Sequence, residues 1–245
     1  MIDLHCHVHF GVDDGPKTAQ EAQDLARALV DEGVTTVACT SHVRPDRRWI
    51  NDQSVQAANH QRLDELLNQA GIELERVAAA EHYVDPTFMS RVRNHSVVPY
   101  GDSKWLLVEL NYDAPVPNFL QMMFETRQLG YKVLLAHLER YPWVVDNDDM
   151  LDKLTAAGHL IQINLGSLAG AYGRDYKKRA RKLVKEGWAC VAASDCHHLT
   201  DVKPYLIKGK KALRKLVGDA GCQTLLVDNP RAILDDKEPD LIWVR

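Results

Sequence analysis

Residues 1–18 read MIDLHCHVHFGVDDGPKT. IDLHCHVH (2–9) has the pattern of a strand, with histidine at every second position from His5 to His9, and the pair Asp13–Asp14 follows closely. Residues two apart in a strand share a face, so His5 and His7 can grip one cation while Cys6 points away. His9 has the same parity but stands where the strand can end, and lining the mouth of the fold is its simpler role. The stretch therefore asks what the rest of the chain adds to complete a metal site.

Outward from it, TAQEAQDLARALVDEG (18–33) reads as an amphipathic helix, with Thr18 and Glu21 forming a capping box and Gly33 as the stop. Strand patterns recur at 34–42, 72–82, 105–110, 131–137, 159–165 and 189–195. Helical patterns separate them at 53–70, 86–93, 117–129, 147–157, 174–187 and 204–218, and TLLVDNPRAIL (224–234) closes the series. Seven strand–helix units of this kind predict an α/β fold with a parallel sheet, most economically a closed barrel. No linker, repeat or low-complexity stretch interrupts them, which predicts one domain over 1–245.

Composition narrows the function. A net charge of −4 argues against a general nucleic-acid or membrane-surface binder. No apolar run approaches the ~20 residues of a membrane span. A cleavable leader is not expected, because candidate ligands begin at His5 and the cationic flank is missing. Five cysteines, an odd number without a dense framework, fit a reducing compartment, so the expected location is cytoplasmic.

His5, His7, His42, Glu81, Glu109, His137, Asp195 and His197 all fall at the carboxyl ends of the expected strands. In a parallel barrel those ends converge on one face, where catalytic groups sit. Asp195 and His197 repeat the alternation of His5 and His7, here around Cys196. Imidazole and carboxylate without thiolate suit manganese, iron or zinc in a catalytic cluster better than a closed structural zinc site. Carboxylates can also bridge two cations.

The segments IDLHCH, GVDDGPKT, TSH, HLERY, ASDCHH and DNPRAIL resemble the PHP superfamily, named for polymerase and histidinol phosphatase domains. Within it the chain is most similar to the manganese-dependent protein-tyrosine phosphatases of bacterial capsule and exopolysaccharide systems, the CpsB type, from Met1 to about Leu234. The resemblance implies a distorted (β/α)7 TIM-like barrel holding three divalent ions, manganese first, with iron or zinc as alternatives. It implies that His5, His7, Glu81 and Asp195 form the first metal position, and that Glu81 bridges to a second completed by Glu109 and His137. Asp14, His42 and His197 would hold the third, leaving Asp13 to cap the DDG turn. His42, His197 and Arg140 would be catalytic. Arg140 and Lys203 would contact substrate, and the loop VRPDRRWIND after His42, read apart from the resemblance, offers Arg44 and Arg47 beside Trp49 as a cationic rim for it. Lys203 stands near where the family usually has an arginine, and His198 where it often has asparagine.

The implied reaction is phosphomonoester hydrolysis by a metal-activated hydroxide, with Arg140 clamping the equatorial oxygens. The implied substrate is a phosphotyrosine protein, the tail of a tyrosine kinase controlling polysaccharide export, with no nucleic acid and no membrane insertion. Covalent cysteine catalysis needs an arginine six positions after the nucleophile. Those positions hold Val12, Pro45, Cys196, Val202 and Asp228, so that route is excluded. No GxxxxGK[ST] loop is present either. Three rival readings are a small-molecule phosphatase such as histidinol phosphatase, an amidohydrolase-like hydrolase and a non-catalytic regulatory PHP domain. Glu109, standing where amidohydrolases commonly carry a carbamylated lysine, speaks against the second. The complete set of ligand positions speaks against the third.

Overall fold

A computed structural model describes residues 1–239. Nine strand segments are described: β1 (Ile2–Cys6), β2 (Thr36–Cys39), β3 (His42–Val43), β4 (Glu75–Ala78), β5 (Glu81–Tyr83), β6 (Trp105–Glu109), β7 (Lys132–Leu135), β8 (Leu160–Asn164) and β9 (Val191–Ala193). All pair in parallel, in the orders β1-β2-β4 and β3-β5-β6-β7-β8-β9. The fold is thus α/β with parallel sheets, and its described strands do not join into one closed sheet.

The strands expected at 34–42 and 72–82 are each broken, at Thr40–Ser41 and at Ala79–Ala80. Polar side chains take over backbone bonds at the first of these breaks and between β1 and the end of β9. The Thr40 hydroxyl accepts the Cys6 N–H at 3.0 Å, and the Asp3 carboxylate accepts the Ser194 N–H at 3.0 Å. Beyond β9 the backbone runs beside β1: Asp195 N–H donates to the His5 carbonyl at 2.8 Å, and His7 N–H to that of Cys196 at 2.9 Å.

Pairing of β1 with β2 shifts register between Asp3 and Cys6. The shift decides which side chains reach the site, because a one-residue slip exchanges the two faces of a strand. Before it, Ile2 and Leu4 pack with Trp105, Leu107, Leu134 and Val191 in a cluster built mainly from strand residues. After it, Cys6 and Val8 join the larger layer between strands and helices, and His5 and His7 turn to the opposite side.

Helices supply the outer layer: α1 (Ala19–Asp31), α2 (Gln53–Gln69), α3 (Phe88–Arg93), α4 (Phe119–Gln128), α5 (Pro142–Val145), α6 (Asp148–Ala156), α7 (Leu165–Ala169), α8 (Arg174–Lys185), α9 (Leu199–Asp201), α10 (Lys208–Gln223) and α11 (Asn229–Leu234). Thr18 caps α1 by accepting the Glu21 N–H at 3.3 Å, but Glu21 accepts the Lys17 N–H at 2.6 Å, one residue outside a capping box. Gly218, at φ 70°, kinks α10 where the sequence pattern expects a helix to stop. Among the described residues, no helix is long and apolar enough to cross a membrane.

α10 meets α7 so closely that a methyl at Gly209 would lie 2.5 Å from Leu165 Cβ and 2.6 Å from its carbonyl oxygen. In an open helix alanine would gain ~1 kcal/mol over glycine. Here overpacking of about 1–3 kcal/mol opposes that gain. Gly209→Ala is expected to lower Tm by a few degrees, at roughly 2–4 °C per kcal/mol, in a melting experiment. An unchanged or raised Tm would mean that α10 moves aside freely.

Candidate metal centre

The strand ends converge as their sequence positions require. His5 lies on β1 and His7 just beyond it, His42 opens β3, Glu81 opens β5 and Glu109 closes β6. His137 follows β7, and Asp195 and His197 follow β9. Except for His197, all are buried. Glu81 stands at the centre. Its Oε2 lies 3.3 Å from His5 Nε2, 3.4 Å from His7 Nε2 and 3.0 Å from His42 Nδ1, while Oε1 lies 2.9 Å from His137 Nε2. Asp195 Oδ1 approaches His5 Nε2 at 3.3 Å and His7 Nε2 and His197 Nδ1 at 3.6 Å. Half-exposed Asp14 reaches His42 at 3.5 Å and His197 at 3.3 Å, and Glu109 lies 3.6 Å from His42.

Donor atoms within 4.8 Å of one another form four groups here: His5–His7–Glu81, His5–His137–Asp195, His42–Glu81–Glu109 and His7–Asp14–His42–His197. All nine expected metal-ligand positions belong to this constellation. Glu109 groups with His42 as well as Glu81, and His137 with His5 and Asp195, so the sharing is more entangled than three separate ligand sets.

Asp13 does more than cap the turn. Oδ1 accepts the Gly15 N–H at 2.9 Å, while Oδ2 contacts His7 Nδ1 at 2.9 Å and accepts the His42 N–H at 3.0 Å. One carboxylate thus orients two candidate ligands. Gln162 and Asn164, alternating on β8, have a similar role. Gln162 Oε1 accepts the His137 N–H at 2.9 Å and meets His5 Nδ1 at 3.2 Å. The Gln162 amide donates to Asn164 at 2.8 Å, and Asn164 donates to Asp195 Oδ2 at 2.6 Å. The Tyr141 hydroxyl accepts the Leu110 N–H at 3.0 Å and bonds His137 Nδ1 at 2.9 Å. Two polar residues of matching parity within HLIQINL were the available sequence signal for the β8 pair.

Burial disfavours charge, yet neighbouring imidazoles favour the ionised form of Glu81, Asp195 and Asp14. Against burial, His5 and His42 hold the Glu81 carboxyl well below its usual range, and His5 and His197 do the same for Asp195. Burial is likewise overcome at Asp14, held at about 2 by His197 and His42. The response runs the other way on imidazole: Glu81 and Asp195 outweigh burial and lift His5 to about 9. Glu81 Oε2 and His42 Nδ1, although close, are buried without a hydrogen-bond partner among the described residues. Such atoms are expected where a cation completes the coordination, and the thiolate-free donors suit a hard or borderline divalent ion. His137 at φ 34° and Asp195 at φ 55° also hold the left-handed backbone region, which strains residues with side chains.

A cleft of about 380 Å³ opens onto these donors. Arg140 lines it, its guanidinium between Tyr112 (4.4 Å) and Tyr172 (5.1 Å) and 3.9 Å from Asp195 Oδ2. Arg44 and Arg47 line it as well, Arg44 lying 3.4 Å from Glu109 and over Tyr83, and Arg47 over Trp49. Lys203 does not: it is exposed and outside the cleft lining. The wide-turned helical segment Val202–Ile207 instead carries Tyr205 to the wall, together with His198 and Asp201. His9 also lies away from the cleft, its Nδ1 2.9 Å from Ser41 Oγ. Tyr112, Tyr172 and Tyr205 were not anticipated, because isolated tyrosines outside a strand end carry no spacing signal. None of the cysteines lines the cleft, all five are free, and burial pushes the Cys6 and Cys196 thiols well above their usual range.

Fold and donors together define a parallel α/β protein with a candidate polynuclear metal centre at its strand ends. The chain belongs to the CpsB/CapC family of capsular polysaccharide synthesis, whose profile matches residues 1–235. It is 29% identical over 242 residues to the tyrosine-protein phosphatase CpsB of Streptococcus pneumoniae, covering 97% of this chain and 99% of that protein. It is 31% identical to CapC of Staphylococcus aureus, covering 88% and 84%. A crystal structure of YwqE from Bacillus subtilis and CpsB from Streptococcus pneumoniae, described as metal-dependent tyrosine phosphatases, superposes with a TM-score of 0.88 at 25% identity, covering 97% of this chain and 95% of the other.

Removing a group that orients a metal-ligating histidine weakens metal binding by about 10–100-fold in comparable sites, and Asp13 orients two candidate ligands. Asp13→Ala is accordingly expected to raise the manganese concentration for half-maximal loading by that factor, read by calorimetric titration. Unchanged affinity in the folded variant would reduce Asp13 to a turn cap.

Proposed function

We propose that the protein is a metal-dependent protein-tyrosine phosphatase acting in the cytoplasm as a single domain on a distorted seven-stranded barrel. The observation that carries this reading is the buried, thiolate-free gathering of imidazoles and carboxylates beside a guanidinium in one cleft. Family membership and the named activity of its relatives support it.

In this reading His5, His7, Asp14, His42, Glu81, Glu109, His137, Asp195 and His197 hold three divalent ions, manganese first. Bound there, such ions would neutralise the ester oxygens and bring the pKa of water from 15.7 toward about 7. The chain's own residues supply position and charge. Asp13, Gln162, Asn164 and Tyr141 fix the ligand side chains before substrate arrives. Arg140, held between two aromatic faces with its Nε unpartnered, has donors available for the equatorial phosphoryl oxygens. Arg44 and Arg47 meet the flanking acidic or phosphorylated surface. Trp49, Tyr112 and Tyr205 offer aromatic walls to the leaving phenol. That phenol, with pKa near ~10, departs with little proton donation, so the site needs no strong general acid. The substrate proposed is the phosphotyrosine tail of a kinase that controls polysaccharide export.

Turnover of p-nitrophenyl phosphate, a phosphotyrosine peptide and histidinol phosphate, compared with manganese and after chelation, tests the reading. The first two are expected to be hydrolysed with metal, lose turnover on chelation and regain it on metal return. Arg140→Ala should lower kcat/KM about 10²–10³-fold, His137→Ala should abolish turnover, and Cys196→Ser should keep most of it. Preference for histidinol phosphate would overturn the substrate, and activity that survives chelation but not thiol alkylation would overturn the mechanism.

A further inference from the structure

His9, Cys39 and His60 come together outside the cleft. None of them lines it, and none belongs to the constellation above. Cys39 ends β2 as a fully buried free thiol, His9 follows β1, and His60 sits on α2. One donor atom of each lies within 4.8 Å of the other two.

The nitrogens are arranged for a ligand. His9 is 1% exposed. Its Nδ1 bonds Ser41 Oγ at 2.9 Å, and Nε2 is buried without a partner; in the tautomer that carries its proton on Nδ1, Nε2 keeps its lone pair for a ligand. A ligand histidine commonly has its second nitrogen fixed by a hydroxyl or carboxylate, as at His9. His60 is held more loosely: its Nε2 lies 3.9 Å from the Asp64 carboxylate, which pairs with Arg76, while Nδ1 is buried without a partner. Buried nitrogens without partners cost stability. A cation between them and the thiol would satisfy both.

The geometry points to a second metal site, formed by His9, Cys39 and His60, that takes a zinc-class ion. Two imidazoles and a thiolate favour a borderline-soft cation over manganese, and three protein donors leave a fourth tetrahedral position for water. Loading converts the Cys39 thiol to thiolate and releases its proton to solvent. The His60 side chain is 19% exposed, which gives an ion a route from solvent. Because α2 directly follows the loop bearing Arg44, Arg47 and Trp49, a bound ion would tie that wall of the cleft to the ends of β1 and β2.

The two sites can be read separately because the cleft donors include no thiolate. Cobalt(II) titrated into the whole, manganese-loaded protein should produce a thiolate-to-cobalt charge-transfer band that saturates near about one equivalent and disappears on zinc addition. Cys39→Ser should abolish the band, and His60→Gln should weaken cobalt binding about tenfold or more. His137→Ala, which damages only the cleft, should retain it, so failure of the phosphatase reading would leave this measurement intact. Absence of the band from the wild-type protein, or its persistence in Cys39→Ser, would overturn the proposal. Circular dichroism checks folding, and if Cys39→Ser unfolds, His60→Gln on the partly exposed helix face decides: unchanged cobalt affinity there overturns the site.

Discussion

One buried carboxylate constrains the rest of the structure. Glu81 is buried at the floor of the cleft, and four imidazoles lie within 3.4 Å of its oxygens. An isolated charge in such a place would be untenable, so the surrounding strands must deliver positive charge to that point. This requirement accounts for features that otherwise look like defects in the sheet. The register shift in β1 turns His5 and His7 toward Glu81, and the break between β4 and β5 places Glu81 at the start of a new ladder beside His42.

The same electrostatics separates the arginines. Arg44 lies beside Glu109, so much of its charge serves that carboxylate. Arg140 is held chiefly by aromatic faces, an arrangement that fixes a guanidinium without consuming its hydrogen-bond donors. A cation poised in this manner suits an incoming phosphoryl group, whereas a firmly salt-bridged one would first have to be freed.

Much of this was legible before any coordinates. Strand ends are marked by where an apolar run stops, and a donor at each stop is visible in sequence, which is why His42, Glu81, His137 and Asp195 could be placed on one face. Closure was less legible. Whether strands join into one sheet depends on side chains such as Thr40 and Asp3 competing for backbone bonds across the fold, and no local pattern announces that. Lys203 shows the same limit on a helix. One altered turn rotates the segment, and a side chain that sequence places near the substrate lies outside, with Tyr205 at the wall. Gln162 and Asn164 were readable in principle, since amides within an apolar strand require partners; His9 shared parity with His5 and His7, but parity loses its meaning where the strand ends.

His137 and Asp195 hold a backbone conformation that glycine alone adopts freely, at a cost of about 1–3 kcal/mol each. Glycine at either position would relax the chain and delete a donor in the same stroke. Folding and chemistry therefore have opposite preferences at these two positions. A programme of thermostabilisation guided by backbone comfort would arrive there early, and under the proposed function its most robust products would be inert.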